Sequence, residues 1–477
     1  MDLKTKKIKK QGSVYTPEYI VNNVLDLADY KGKKILKKHV IDNSCGDGAF
    51  LKEIINRYCV EFLKNSNSKT QLKKELETYI HGIEIDIDEY SKCNIHLNDF
   101  MNKKYGIKNI EFNIINDSAL NIDIFNNKMD YVLGNPPYVR IHNIFDLKNL
   151  KNSTFMQNGM SDLYLAFFEL SIKMLSKNGC LSLITPSSWF TSIAGANMRN
   201  FLLSTNKLYS VCDLKHYQPF NAVTYTAITT IKNRINLNVK YYEYDQKTLS
   251  PFFLYEQPLD KFNIGGKFYF VSPKNIEILS KILSIKIDDN LINVKNGFAT
   301  LADNVFIKDE FDFESPIKIK VYKASKNQWK ECLFPYKDSQ ILEFTKEILG
   351  DKTIEYFEQN KQLLKNRSLS EKEKWYAFGR TQGIKDINMH KIAINTLLKN
   401  VNDIKIKNLS PGEGIYSGLY IITKINPKII INFIKNEEFI QYIILLGKYK
   451  NGGYYTFSSS ELKKYLIYKV KEFNYDE

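Results

Sequence analysis

Through the first half of the chain, short apolar runs alternate with stretches whose apolar residues recur every three or four positions. The first pattern predicts strands and the second helices. Tyr19 to Leu27 has helical spacing behind Pro17, a residue suited to a helix start. Lys38 to Asp42 is an apolar strand that runs into Asn43-Ser44-Cys45-Gly46-Asp47-Gly48, and Ala49 to Leu63 resumes helical spacing. A strand at Ile80 to Ile85, a helix around Glu89 to Tyr105 and a strand at Ile110 to Ile115 come next. Met129 to Leu133 leads through Gly134 into Asn135-Pro136-Pro137-Tyr138. Ser161 to Leu175 reads as an amphipathic helix, Asn178-Gly179 as a turn and Cys180 to Thr185 as a buried strand. Further strands fall near Leu208 to Asp213 and Tyr225 to Ile231.

This alternation predicts an α/β fold with a Rossmann-like, doubly wound, mostly parallel sheet. Beyond about residue 235 it stops: strand-like runs shorten, tyrosines and lysines multiply, and helices mix in without βα order. A boundary between Arg234 and Tyr241 is expected, dividing the chain into a 1–235 domain and a mixed α+β domain over 236–477. No repeat at a solenoid period and no low-complexity linker is visible.

At 477 residues, 43% hydrophobic and 13% aromatic, the chain has the composition of a folded protein with two or three domains. Its net charge of +15 suits a polyanionic partner, although Lys-, Asn- and Ile-rich usage also follows from AT-rich coding. No apolar run approaches the roughly 20 residues of a membrane span. The basic N-terminus, MDLKTKKIKKQ, has no apolar segment behind it, so it is not a secretory signal. It reads either as a solvated tail or as an arm on phosphates. The six cysteines form no CxxC pair and the six histidines no HxxxH or HxxE pattern. A zinc site or disulfide framework is therefore not expected, and a reducing, cytoplasmic compartment is.

Chemistry enters at the strand ends. Asp42 closes a strand and opens a turn in which Gly46 and Gly48 let main chain approach a ligand and bare N–H groups at a helix start. Leu51 stands where a dinucleotide fingerprint would place its third glycine, so a nucleoside without a pyrophosphate fits better. Glu84, followed by Ile85, can hold two ribose hydroxyls, and Asp117, followed by Ser118, can accept from an adenine amino group. Each carboxylate alone would read as a helix cap or a solvated loop residue. A doubly wound sheet nevertheless places all of these strand ends, and that of Asn135, on one edge.

Asn135-Pro136-Pro137-Tyr138 has its own logic. A carboxamide oxygen and a carbonyl ahead of a proline can both accept from one planar NH2 group. Paired prolines fix φ and remove backbone donors, and Tyr138 offers a face for stacking. The plain structural alternative is a Pro-Pro turn that closes a strand, with Tyr138 capping the core.

Together these residues resemble the gamma-class, Taq-type and Eco57I-like, S-adenosylmethionine-dependent DNA adenine-N6 methyltransferases of restriction–modification systems. Gln11-Gly12-Ser13-Val14-Tyr15-Thr16-Pro17 resembles that family's cofactor-methionine segment and precedes the Gly-rich turn, as the gamma order requires. The resemblance implies a methyltransferase sheet followed by a target-recognition domain. It assigns cofactor contacts to Tyr15, Thr16, Asp42, Ser44, Cys45, Gly46, Gly48, Phe50, Glu84, Ile85, Asp117, Ser118, Asn135 and Pro137. It assigns catalysis to Asn135, Pro136, Tyr138 and Phe220, the last as a second aromatic against a flipped base, with Tyr217 close by. Ser161-Asp162-Leu163-Tyr164 and Gly179 to Pro186 resemble two further family blocks. In the second half, Asn296-Gly297-Phe298, Leu333-Phe334-Pro335-Tyr336, Trp375-Tyr376 and Ser417-Gly418-Leu419-Tyr420 resemble landmarks of target-recognition regions.

The implied reaction is methyl transfer from S-adenosylmethionine to N6 of an adenine flipped from double-stranded DNA, without a metal. The adenine N6 lone pair is delocalised into the ring. Acceptors at the Asn135 side-chain oxygen and the Pro136 carbonyl would favour a pyramidal, nucleophilic nitrogen. The segment Val139 to Met156, with Arg140, His142, Lys148 and Lys151, reads equally as a DNA-ordered loop and as a surface loop. Trp375, Tyr376 and Arg380 read more simply as core aromatics beside a solvated arginine than as base readers. With motifs starting at residue 11 and no nuclease pattern in the second half, a stand-alone methylase is expected, any cognate restriction endonuclease being encoded separately. RNA and protein-glutamine N-methyltransferases share the same clamp, and a catalytically silent DNA-binding specificity protein is the reading outside enzymes.

Overall fold

The computed structural model describes residues 15–140, 153–157, 161–220, 224–369 and 373–473. The basic N-terminus, Gln11 to Val14 and the stretch containing His142, Lys148 and Lys151 lie outside the described residues. The chain divides into two compact units, 1–276 and 277–477.

The first unit is built on a nine-stranded sheet. Its strands are β1 (Val40–Asp42), β2 (Ile80–Ile83), β3 (Asn113–Ile115), β4 (Met129–Gly134), β5 (Leu175–Pro186), β6 (Leu208–Asp213), β7 (Thr226–Lys232), β8 (Val239–Asp245) and β9 (Ser250–Gln257). Their spatial order is β3-β2-β1-β4-β5-β7-β6-β8-β9. From β3 to β5 every pairing is parallel, and β7 inserts antiparallel between β5 and β6. Strand order reverses between β1 and β4, the switch point at which an open α/β sheet leaves a crevice outside its carboxyl ends.

Helices cover both faces, and strand alternation decides which side chain meets which. In β1, Val40 joins the core beneath α1 (Glu18–Leu27), α2 (Ala49–Leu63), α3 (Lys69–Tyr79) and α4 (Ile87–Tyr105). Its neighbour Ile41 joins the opposite core, beneath α5 (Tyr164–Met174) and α6 (Ala196–Thr205). The doubly wound sheet expected from the sequence is therefore present, with three differences of detail. Helix α3 is so polar that only Leu72 and Leu76 mark its buried side, so apolar spacing did not reveal it. Helix α6 was likewise not anticipated. Strand β5 runs back through Asn178-Gly179, where a turn was expected, because Leu175 still pairs with Met129 of β4 and the residues before Cys180↔Tyr131 form a bulge in which Asn178 takes φ of 70°.

Strands β8 and β9 continue the same sheet past the boundary expected between Arg234 and Tyr241. Strand β8 pairs parallel with β6 from Ser210↔Lys240 onward, and Tyr241 and Tyr244 are buried. The compact unit therefore closes later, at residue 276.

The second unit carries two four-stranded sheets. One orders Ile292–Asn296, Leu419–Thr423, Lys391–Ile394 and Ile406–Leu409; the other orders Ile307–Lys308, Gln328–Leu333, Lys318–Lys323 and Gly414–Tyr416. The aromatic landmarks meet in its core: Phe298 stacks on Phe378 at 4.9 Å, Phe334 lies 5.8 Å from Phe298, and the Phe378 N–H donates to the Tyr336 hydroxyl at 2.6 Å. Gly297 and Gly418 mark close backbone crossings, since a Cβ on Gly297 would overlap the Ile415 carbonyl and one on Gly418 would lie 2.8 Å from that of Ile394. Tyr376 is buried and donates to the Leu342 carbonyl at 2.7 Å, whereas Arg380 is exposed. These motifs build a scaffold.

Candidate active site at the switch point

Asp42 ends β1 and is buried, its Oδ1 accepting the Ser44 N–H at 3.0 Å. Burial pushes its carboxyl up to about 8 against the pull of that N–H, and nearby Glu84 adds to the rise. Gly134, the last residue of β4, lies directly against it: a Cβ there would stand 2.6 Å from Asp42 Oδ1. Only a residue without a side chain lets the two central strands bring Asp42 and Asn135 to one point. Gly134 appeared in the sequence only as the residue ahead of the clamp.

The Gly-rich turn hangs from the neighbouring strand ends. The Cys45 N–H donates to the Ile83 carbonyl at 3.0 Å, and the Gly46 N–H to Glu84 Oε2 at 2.8 Å. The other oxygen of Glu84 accepts the Asp86 N–H at 2.8 Å, so this acid holds the turn and the start of α4 together. Burial raises the Glu84 carboxyl despite both donors. Gly46 and Gly48 have φ of 53° and 94°, in the left-handed region that favours glycine. Around Gly46 a Cβ would meet nothing within 4 Å, whereas at Gly48 it would lie 2.9 Å from Cys93 Sγ.

Other residues that the sequence assigned to a cofactor fall into two groups. Ile85 is 66% exposed beside Glu84, an apolar surface next to an acid, and Asp117 is exposed at the end of β3. Asp117 Oδ1 accepts from the Ser118 N–H and the Asn121 amide, and Ser118 caps the short turn that follows. Cys45 and Phe50, by contrast, turn into the core beneath the loop, so neither side chain faces the open side. An open glycine turn between a buried acid and an exposed isoleucine fits a nucleoside with one apolar face. Among the described residues no group of three or more His, Cys, Asp or Glu could hold a metal ion.

Asn135-Pro136-Pro137-Tyr138 follows β4 on the same edge. The Asn135 amide nitrogen donates to Thr16 Oγ1 at 3.0 Å, which orients the carboxamide and sets Oδ1 as its acceptor end. Ser44 Oγ donates to the Asn135 carbonyl at 3.3 Å, tying the clamp to the Gly-rich turn. Tyr15, next to Thr16, points the other way and donates to Glu89 of α4 at 3.3 Å. Two adjacent residues thus strap the space between the β4 end and the helix after β2. Pro136 is buried and Pro137 half-buried.

Tyr138 donates its hydroxyl to the Ile184 carbonyl at 3.0 Å, and burial raises its phenol well above the ordinary value, so it remains a donor. Phe220 meets it edge to face, ring centroids 6.2 Å apart. Tyr217 is engaged elsewhere, stacked on Tyr244 at 4.9 Å and bonded to the Tyr19 hydroxyl at 2.7 Å. Of the two aromatics, Phe220 is the one beside the clamp. Just beyond it, the Leu163 N–H donates to the Val139 carbonyl at 2.8 Å, which seats the Ser161-Asp162-Leu163-Tyr164 block against the end of the clamp.

The part of the chain that carries these residues is similar to known proteins. Residues 34–220 match the model of the Eco57I restriction-modification methylase family. The chain is 28% identical over 418 residues to the type II methyltransferase M.BstVI of Geobacillus stearothermophilus, covering 77% of this chain and 74% of that protein. It is 24% identical to the type II restriction enzyme and methyltransferase RM.Eco57I of Escherichia coli, covering 91% of this chain but 54% of that one. Among solved structures, the type IIL restriction-modification enzyme MmeI in complex with DNA matches 96% of this chain and 68% of its own, with a TM-score of 0.70 at 15% identity, a likeness of fold. The match lies over the strands that lead to Asp42, Glu84, Asp117 and Asn135, and it is over these residues that the chain is similar to the Eco57I restriction-modification methylases.

Proposed function

We propose that this protein is a site-specific DNA methyltransferase that moves a methyl group from S-adenosylmethionine to N6 of an adenine flipped out of double-stranded DNA. The observation that supports it best is the Asn135-Pro136-Pro137-Tyr138 clamp at the β1/β4 switch point, tied by Ser44 to a glycine turn that Glu84 holds. When bound, S-adenosylmethionine supplies an electrophilic methyl. Glu84 and Asp117 would hold its ribose and adenine, Ile85 would cover the base, and Asp42 with the Gly46 turn would face its methionine end. The Asn135 side-chain oxygen and the Pro136 carbonyl then accept the two N–H groups of adenine N6, and the positive charge developing there meets preformed acceptors. Tyr138, with Phe220 against its edge, would stack on the extruded base and offset part of the unstacking cost. In this reading the protein is a cytoplasmic modification enzyme whose second unit reads the target.

The test is direct. Purified protein and its Asn135→Ala variant are incubated with S-adenosylmethionine and unmethylated plasmid, and N6-methyladenine is mapped. Methylation confined to one short motif, and absent from the variant, is expected. Cofactor binding without transfer to DNA would redirect the reading to RNA or protein-glutamine substrates.

A further inference from the structure

In the second unit, Leu397–Leu398, Tyr449–Lys450 and Tyr454–Thr456 form a small antiparallel sheet with the last strand in the middle. Leu398, Tyr455 and Tyr449 are directly opposite one another across it, and because Leu398 is buried theirs is the inner face. The outer face therefore carries Leu397, Lys450, Tyr454 and Thr456, with Lys399 two residues beyond Leu397 on the same side.

The outer face is basic. Lys399 Nζ stands 4.5 Å over the Tyr454 ring, and Lys450 is the direct cross-strand partner of Tyr454. Among the described residues neither lysine forms an ion pair, whereas Lys448, immediately before Tyr449, is committed to Glu461 at 2.6 Å. The carboxylate of Asp403 is turned onto main chain instead, accepting the Lys399 N–H at 2.9 Å. The hairpin tip, Asn451-Gly452-Gly453, has two glycines at φ of 75° and 79°, so no side chain keeps a partner's backbone from the lysines.

We propose that this outer face is a phosphate-contacting surface for duplex DNA, with Lys399 and Lys450 each neutralising one phosphate on either side of the Tyr454 ring. The proposal rests on the DNA reading above and assigns the contact to these side chains among the many lysines of the second unit. Two unpaired cations flanking a half-buried ring and a bare glycine tip match a regularly charged backbone. They make no fork for a base edge, so the contact fixes position rather than sequence.

The test uses the full-length protein and a fluorescein-labelled, mixed-sequence DNA duplex, with Kd followed by anisotropy against KCl concentration. Each phosphate contact contributes roughly 0.9 to the slope of log affinity on log salt. The double variant Lys399→Gln/Lys450→Gln should flatten that slope by about 1.8 while its melting temperature and methylated motif stay those of the wild type. Lys346→Gln, which removes a lysine paired with Asp351, should leave the slope unchanged. An unaltered slope in a folded double variant overturns the assignment, and so does a changed methylation motif, which would make these lysines base readers. If the wild type binds DNA without salt dependence, the DNA reading itself falls and takes this one with it.

Discussion

At the scale of single residues, the site is organised by a buried acid, Asp42. Asp42 titrates near 3.8 when free and about 8 when folded, because burial disfavours its charge. Its contribution to stability is therefore fully present below the free value and is lost as pH rises through the folded one. Thermal unfolding of the ligand-free protein should show stability falling toward pH 8, and Asp42→Asn should remove that component of the slope. A cationic ligand beside Asp42 favours the ionised form, so affinity for S-adenosylmethionine should rise over the same interval with release of a proton. Calorimetry in buffers of different ionisation heat measures that release, and none in the wild type would separate Asp42 from the cofactor. Gly134→Ala sets a methyl against Asp42 and should cost about 1–3 kcal/mol of stability as well as cofactor affinity. Because the clash is with a carboxylate oxygen, Gly134→Ala/Asp42→Ala should be less destabilised than the two single changes summed, a non-additivity read from a double-mutant cycle.

Between elements, the strap of Tyr15 and Thr16 joins the β4 end to α4. The hydrogen bond from Asn135 to Thr16 orients the group proposed to accept from adenine. Thr16→Val keeps the volume and removes the acceptor, so single-turnover methylation should slow by roughly tenfold, one hydrogen bond's worth, with little change in KM for DNA. A raised KM with unchanged turnover would give the strap a binding role instead. Much at this scale was readable in advance. The strand ends at Asp42, Glu84, Asp117 and Asn135 announce themselves because apolar runs stop at residues with chemistry. Helix α3 was not readable, because two leucines and a Glu75 bonded to the Tyr58 hydroxyl at 2.6 Å suffice to seat a helix that is otherwise solvated. The same limit applies to Cys45 and Phe50: loop position suggests a contact, and only packing reveals that their side chains turn inward.

For the whole molecule, the two units depend on where the large sheet ends. A chain stopped at residue 235 would lose β8 and β9, leaving the β6 edge bare and the packing of Tyr241 and Tyr244 gone. Such a truncation should be insoluble or fail to bind cofactor, whereas one stopped after the helix Pro273–Leu283 should be soluble and bind it. Equal behaviour of the two would place the functional boundary at the earlier position. The sequence suggested that earlier boundary because the strict strand–helix rhythm stops near residue 235. The β8–β9 hairpin continues the sheet without that rhythm, and a hairpin's register is a tertiary matter.

The amino-acid sequence by itself determined the α/β class, the order of the strand ends that carry polar groups and the rigid Asn-Pro-Pro-Tyr turn. All are local: a run of apolar residues, a glycine that must take positive φ, and two prolines that fix the chain carry their consequences with them. The tertiary structure alone decided three other things. Of two nearby aromatics, Phe220 stands beside Tyr138 while Tyr217 stacks on Tyr244. Gly134 matters because Asp42 lies against it. Phe298 shares one core with Phe334 and Tyr336, far from it along the second half. Each depends on which residues distant in the chain come to share one place, and that is set by sheet order and packing, which no local pattern encodes.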